Sequence, residues 1–242
     1  IAGAITAAGG RALVCSEGGM LVHELTRVDA EHITLPVASK NPVVMYRNIE
    51  RIATLIRERK VDIVHVRSRA PAWSAYFACQ KTKVPMITTF HGTYSIGNWV
   101  KRKYNSVMTF GARVIAISGF IGGHIRRHYG VPVEKIRVIH RGVDIERFDP
   151  ERVSAERVIK LATDWRLPDG VPIVMLPGRL TRWKGQLVLI DAIAELGRKD
   201  LRCLLVGSDQ GREESRREVE ARIVKHGLEE VVRIVDHCDD MP

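Results

Sequence analysis

The feature that most limits the fold is a regular alternation. Short runs rich in β-branched residues at 12–15, 33–36, 62–66, 84–90, 112–117 and 136–139 are separated by longer stretches whose apolar residues recur with the 3.6-residue period of a helix. Strands that each lead into a helix and return to the same sheet pair in parallel, with helices covering them. Two of the helices carry local signals. Segment 43–59 follows Asn41 as cap with Pro42 in the first turn, and it lines up Ile49, Ile52, Leu55 and Ile56 on one face with Arg and Glu opposite. Segment 119–129 is capped by Ser118 and ends at Gly130 ahead of Pro132. The opening IAGAITAAGG reads as the tail of a helix closed by Gly9 or Gly10.

A second series begins after RGVDIERFDP, where Gly142 and Pro150 interrupt the pattern. It comprises a helix near 153–165, a strand at 173–176, a helix at 185–197, a strand at 201–206, a helix at 213–226 and a strand at 231–235. The expected division is an N-terminal domain at 1–141, its first strand missing, and a second domain at 142–242. Three strands are half of a doubly wound sheet, so the expected remainder is about 100 residues by ordinary domain size. A start at Ile1 likewise predicts a fragment.

Composition narrows the function classes. The 242 residues are 45% hydrophobic and 27% charged, a globular balance. No apolar run is long enough to span a bilayer and no leader pattern stands at the N-terminus, so the expected location is the cytoplasm. Cys15, Cys79, Cys203 and Cys238 lie far apart without metal spacing and read as reduced, mostly core residues. His124 and His128 have i, i+4 spacing but lack a third ligand, so no metal is expected. A net charge of +10 calls for an anionic partner. Nucleic acid is one candidate, but no helix-turn-helix, RNP or zinc-finger pattern supports it, and none is expected to bind.

The stretch LPGRLTRWKGQ, residues 176 to 186, places Arg179, Arg182 and Lys184 in one loop at the carboxyl end of a strand. Open parallel sheets bind ligands at that edge. Other unusual residues fall there too: Arg67 and Arg69 after 62–66, His91, Gly92 and Thr93 after 84–90, and Gly207 after 201–206. Glycines and cations on two facing sheets suit a phosphate-bearing ligand in a cleft. The loop is no Walker A, since Lys184 precedes its glycine and no Ser or Thr follows it. No G-x-G-x-x-G follows a strand either.

PGRLTRWKGQ, preceded by RGVDIERFDP and followed by LLVGSDQGR and HCDDMP, resembles the retaining glycosyltransferases of family 4 (group 1). RSRAPAW and TTFHGTY are similar to bacterial members that build lipopolysaccharide and other cell-envelope saccharides. The resemblance covers nearly the whole chain. It implies the GT-B fold, an α/β architecture of two Rossmann-like doubly wound domains facing a cleft, with the second incomplete here. It implies an enzyme that moves a sugar from a nucleotide-diphosphate sugar to a saccharide or lipid-linked acceptor, with no cofactor and no metal. Gly178, Arg179, Lys184 and Gly207 are implied to bind the donor, with Cys238, Asp239 and Asp240 bordering its base. Arg179, Lys184 and His91 are implied to be catalytic. Arg67, Arg69, Gly92 and Thr93 are candidates for the acceptor. An epimerase or phosphorylase of similar fold is the alternative enzyme.

Two family elements are not found: the Gly-rich loop after the first strand and the Glu-x7-Glu element, expected before Ile1 and after Pro242. Residues 1–242 alone are therefore expected to be inactive. WVKRKYNSVMTFGAR, with Trp99, Tyr104 and Phe110 among four cations, predicts a basic helix near 99–110 that meets an anionic membrane surface on the inner face of the cytoplasmic membrane.

Overall fold

The computed structural model describes residues 1–94 and 96–238. Two compact units divide the chain, Ile1–Gly142 and Val143–Pro242. Unit 1 runs α1 (Ala2–Ala7), β1 (Leu13–Ser16), α2 (Val22–Arg27), β2 (Glu31–Thr34), α3 (Pro42–Glu58), β3 (Val64–Val66), α4 (Arg69–Thr82), β4 (Met86–Phe90), α5 (Trp99–Ser106), β5 (Arg113–Ala116), α6 (Gly119–Tyr129) and β6 (Ile136–Val138). Unit 2 runs α7 (Ala155–Asp164), β7 (Ile173–Pro177), α8 (Gln186–Leu196), β8 (Arg202–Val206), α9 (Glu213–Lys225) and β9 (Val232–Val235).

Every strand pair is parallel. In unit 1 the strands form a two-stranded piece, β1-β2, and a four-stranded sheet, β3-β4-β5-β6, where the alternation alone suggested one continuous sheet. Both pieces share one core: Cys15 and Leu35 pack against a buried cluster that includes Val37, Ile52, Ile56, Val66, Phe90 and Val114. Unit 2 has the three-stranded order β7-β8-β9 around Ile190, Leu201, Cys203, Leu205, Val219 and Val232.

Caps stand where the sequence signals put them. Asn41 accepts from the Val43 amide with Pro42 in the first turn of α3, and Ser118 accepts from Ile121 at the start of α6. The apolar stripe of α3 meets α4 through Ala72, Ala75, Ala78 and Cys79, whose small side chains allow close approach. Strand limits moved more than helix limits. The second strand begins at Glu31 rather than residue 33, because the Glu31 amide donates to the Ala12 carbonyl and opens the ladder there, while Pro36 has no amide to extend it. The fourth starts at Met86, after Pro85.

The basic helix is shorter than expected. α5 stops at Ser106, and a 3-10 turn then carries Val107, Met108 and Thr109 into the core. Its outer face still presents Trp99 (74% exposed) beside Lys101, Arg102 and Lys103. Among the described residues no helix is long and apolar enough to cross a membrane. Cys79 and Cys203 are buried and Cys15 and Cys238 half-buried, so the expectation of mostly core cysteines holds for two of the four. Burial pushes the thiols of Cys79 and Cys203 up to about 11.

Candidate functional site

All three strands of unit 2 end in register, Pro177 beside Val206 beside Val235, so the loops that follow them meet at one edge. Backbone bonds join the first two loops. The Gly178 amide donates to Val206, Leu180 donates to Ser208, and Gly207 donates to Val235. Gly207 adopts φ +146°, and a Cβ there would sit 2.4 Å from the Gly178 carbonyl oxygen. The two loops therefore touch through backbone at a point where only glycine fits. Leu180, fully buried, pins the loop into the core.

After Leu180 the chain forms a short 3-10 turn, Arg182–Lys184, and passes through Gly185 at φ +84° into α8. The three cations then take different roles. Arg182 turns toward α9 and forms a paired salt bridge with both carboxylate oxygens of Glu218, at 3.0 and 3.1 Å. Arg179 bonds the neutral side chain of Gln210 at 3.2 Å, and Lys184 lays its methylenes against Gly178. Among the described residues neither Arg179 nor Lys184 is paired with a carboxylate. Two cations without counter-charge on a fixed loop, beside the first turn of a helix, form an anion site in outline.

Sequence reasoning missed the residue that holds this loop. Gln186, 2% exposed, donates from Nε2 to the Arg179 carbonyl at 2.9 Å. A glutamine inside an apolar helical stretch was the available signal, because a buried amide has to find partners. Gln186→Met keeps the volume and leaves that carbonyl unsatisfied. The expected cost is about 1–3 kcal/mol, read as a lower urea midpoint. An unchanged midpoint would show that Gln186 does not hold the loop.

Of the residues expected to bind a donor, Gly178, Arg179, Lys184 and Gly207 come together at this edge. Cys238 follows β9 at the same edge, half-buried. Asp239 and Asp240 lie outside the described residues.

In unit 1, Arg67 follows β3 directly, and His91, Gly92 and Thr93 follow β4 directly, so they share the carboxyl edge of neighbouring strands. Arg69 does not lie in that loop as the sequence suggested. It is the first residue of α4, where its guanidinium donates to Asn105 at 3.1 Å and stacks 4.6 Å over the Tyr94 ring, bracing α4 against α5. Two basic residues absent from the sequence reading stand beside the expected ones. His65 bonds the Thr89 hydroxyl at 2.7 Å, and Arg141 contacts His91 Nδ1 at 3.0 Å.

Burial, then Arg67, then Arg141 lowers the pKa of His91. Burial, then Arg67 and His91, lowers that of His65. His124, its ring 4.6 Å from that of His128 and tilted 52° to it, is lowered by burial and then by that neighbour. Among the described residues no group of three or more His, Cys, Asp and Glu is disposed to hold a metal ion.

The sign of the pH dependence follows. Folded pKa values below the usual 6.5 mean that the unfolded chain takes up these protons first as pH falls. Stability contributed by the neutral rings is fully present above 6.5 and is lost as pH falls below it. Urea midpoints of the chain are expected to drop on crossing 6.5 downward, and much less after His65 and His91 are replaced by Asn. A profile with the same slope in that variant would remove the two rings as its cause.

Two families of known proteins match the chain. The family described as Glycosyltransferase Family 4 matches residues 1–147, and that described as Glycosyl transferases group 1 matches residues 159–242. A glycosyltransferase structure from Rickettsia africae is 39% identical, with TM-score 0.86, over 99% of this chain and 63% of that one. Anabaena HepE in complex with UDP-glucose is 20% identical, with TM-score 0.79, over 94% of this chain and 62% of that one, a likeness of fold. Among curated relatives, the D-inositol 3-phosphate glycosyltransferase of Xylanimonas cellulosilytica is 26% identical over 72% of this chain and 44% of its own length. The chain spans about half the length of the curated relatives it matches, 44% and 46% of the first two. With its first unit matched throughout by the one profile and most of its second by the other, this chain belongs to Glycosyltransferase Family 4, and its fold is the GT-B type built from Rossmann-like parallel-sheet units.

Proposed function

We propose that the protein transfers a sugar from a nucleoside-diphosphate sugar to a hydroxyl of a saccharide or lipid-linked acceptor in cell-envelope synthesis, with retention of anomeric configuration and without a metal ion. The observation that carries this reading is the pair of cations, Arg179 and Lys184, without a carboxylate partner among the described residues, on a loop locked by Gly207 and Gln186. When the bond from the anomeric carbon to the diphosphate oxygen breaks, negative charge grows on that oxygen. Cations already in place favour the transition state over the ground state. Arg179 supplies paired donors to the phosphate oxygens, and Lys184 a compact charge. Together they do for the leaving group what a divalent ion does elsewhere. The departing phosphate then accepts the acceptor's hydroxyl proton, so no protein base is needed for retention. His91 is the residue of unit 1 proposed to stand beside the transferred sugar.

Relatives support the donor class: HepE is described with UDP-glucose and with UDP. UDP-GlcNAc 2-epimerases share the fold at 14% identity, which keeps epimerisation as the second enzymatic reading. Product analysis separates the two. The test of donor binding is thermal denaturation against UDP, GDP and their sugars. A ligand present at 100 times its Kd stabilises the native state by about 2.7 kcal/mol, and that shift is expected to vanish in Arg179→Ala. No shift with any nucleotide, or an equal one in the variant, would defeat the donor assignment.

The location proposed is the cytoplasm, at the inner face of the membrane, through the exposed Trp99, Lys101, Arg102 and Lys103 of α5. Binding to anionic vesicles is expected to fall with added salt and when the three cations are replaced by Gln. Equal binding to neutral vesicles would exclude it.

A further inference from the structure

The bond between Arg141 and His91 constrains the chemistry of unit 1. A guanidinium has five donors and no acceptor, so a 3.0 Å contact from Arg141 Nη2 to His91 Nδ1 requires that Nδ1 carry no proton. The ring is then neutral, with its hydrogen on Nε2. Arg67 is close enough to depress the same ring and that of His65, and the register of β3 with β4 places it one position beyond Val66, across from Thr89. The groups facing His91 are thus Arg67 from the end of β3, Arg141 from the end of β6 and His65 on β3. All are basic. Among the described residues no ion pair to a carboxylate involves Arg67 or Arg141.

Basic groups gathered at a ligand-binding edge without a counter-charge leave a positive potential that a ligand can satisfy. Their charge selects among anions. With both imidazoles neutral, the cluster carries the charges of the two guanidiniums. A carboxylate pairs with one and leaves the other bare, whereas a phosphate monoester dianion can accept from both forks and from a neutral N–H.

We propose that Arg67, Arg141 and the Nε2–H of His91 form a subsite for a phosphate monoester, with Arg141 also fixing the His91 tautomer. It rests on the acceptor reading of unit 1 only for the ligand's role. The anion site itself stands on this geometry and is separate from the diphosphate cations of unit 2.

The experiment is 15N-edited NMR of the histidine rings in the full chain, titrated with inorganic phosphate, with glucose 1-phosphate and with UDP. Without ligand at neutral pH, His91 is expected to show a protonated Nε2 and a bare Nδ1. Inorganic phosphate at millimolar concentration should shift the His91 and His65 signals saturably. Arg67→Gln and Arg141→Gln should each weaken that binding about tenfold or more, as loss of a charge-assisted pair does. Arg57→Gln, which removes the same charge from the exposed face of α3, should leave it intact. Arg141→Gln should further release the tautomer, giving a mixture of Nδ1–H and Nε2–H.

Tighter binding of glucose 1-phosphate than of phosphate identifies a sugar-borne ester as the ligand, and equal binding identifies free phosphate. A protonated Nδ1 in the unliganded chain overturns the proposal. So does an unresponsive His91, or equal weakening by Arg57→Gln, which would mean an adventitious ion only. A His91 response to UDP that Arg179→Ala abolishes would assign the charge to the donor instead. Failure of UDP to bind at all would defeat the donor reading and leave this subsite standing.

Discussion

Under the proposed function, replacing Arg179 or Lys184 with alanine is expected to lower turnover in sugar transfer by about 100- to 1000-fold, the usual loss for one preorganised donor to a developing oxyanion. The structure sharpens the expectation by separating these residues from their neighbour. Arg182 lies between them in sequence, yet its guanidinium is taken by Glu218 in a paired bridge, whereas Arg179 faces a neutral amide and Lys184 has no carboxylate among the described residues. Arg182→Ala should therefore leave the chemical step nearly unchanged. Its bridge is exposed on the arginine side, so its loss should leave the urea midpoint nearly unchanged. The informative comparison is kcat/KM for the three variants side by side, with folding checked for each. Equal losses in all three would mean that the loop acts through net positive potential. Unchanged kinetics in Arg179→Ala and Lys184→Ala would return both to ordinary solvated cations.

Gly207→Ala is expected to destabilise unit 2 by about 3 kcal/mol or more, through a strained backbone together with a steric clash. Neither component has an easy relief. At φ +146° an L-residue is strained wherever its side chain points, and the new methyl would lie 2.4 Å from the Gly178 oxygen and 2.8 Å from its carbonyl carbon, both backbone atoms. To make room, the two loops must part, which breaks the bonds from Gly178 to Val206 and from Leu180 to Ser208 that set Arg179 in place. Stability and nucleotide binding should therefore fail together. Urea denaturation and UDP titration of the same sample measure both. Wild-type stability in Gly207→Ala would show that the loops do not depend on this contact. By contrast, Gly211→Ala meets no atom within 4 Å and carries only the conformational cost of φ +78°.

Both predictions draw on features that differ in how far the sequence revealed them. The cations of the loop were visible as a cluster at the end of an apolar run, and position in a parallel sheet argued for their role. Arg182 looked equivalent to its neighbours, because its partner Glu218 lies on α9, 36 residues along the chain. Gly207 stood out only as one of several glycines near strand ends, since the clash that requires it comes from a different strand's loop. Arg69 read as a loop cation until α4 was seen to begin with it and Asn105 and Tyr94 to engage it.

What the sequence determined by itself was the part of the structure that short-range physics controls. Hydrophobic period set which segments become strands and helices, Asn41, Pro42 and Ser118 set helix starts, and alternation required parallel pairing. Strand limits were less legible, because a ladder ends where a partner's amide or carbonyl runs out, as Pro36 and Pro85 show. Only the tertiary structure decided which charges stay unpaired, which tautomer His91 adopts and which amide holds the loop. Those outcomes depend on side chains from distant segments meeting at one sheet edge, where a contact of 3 Å made or missed reverses the electrostatics, and no periodicity along the chain encodes that distance.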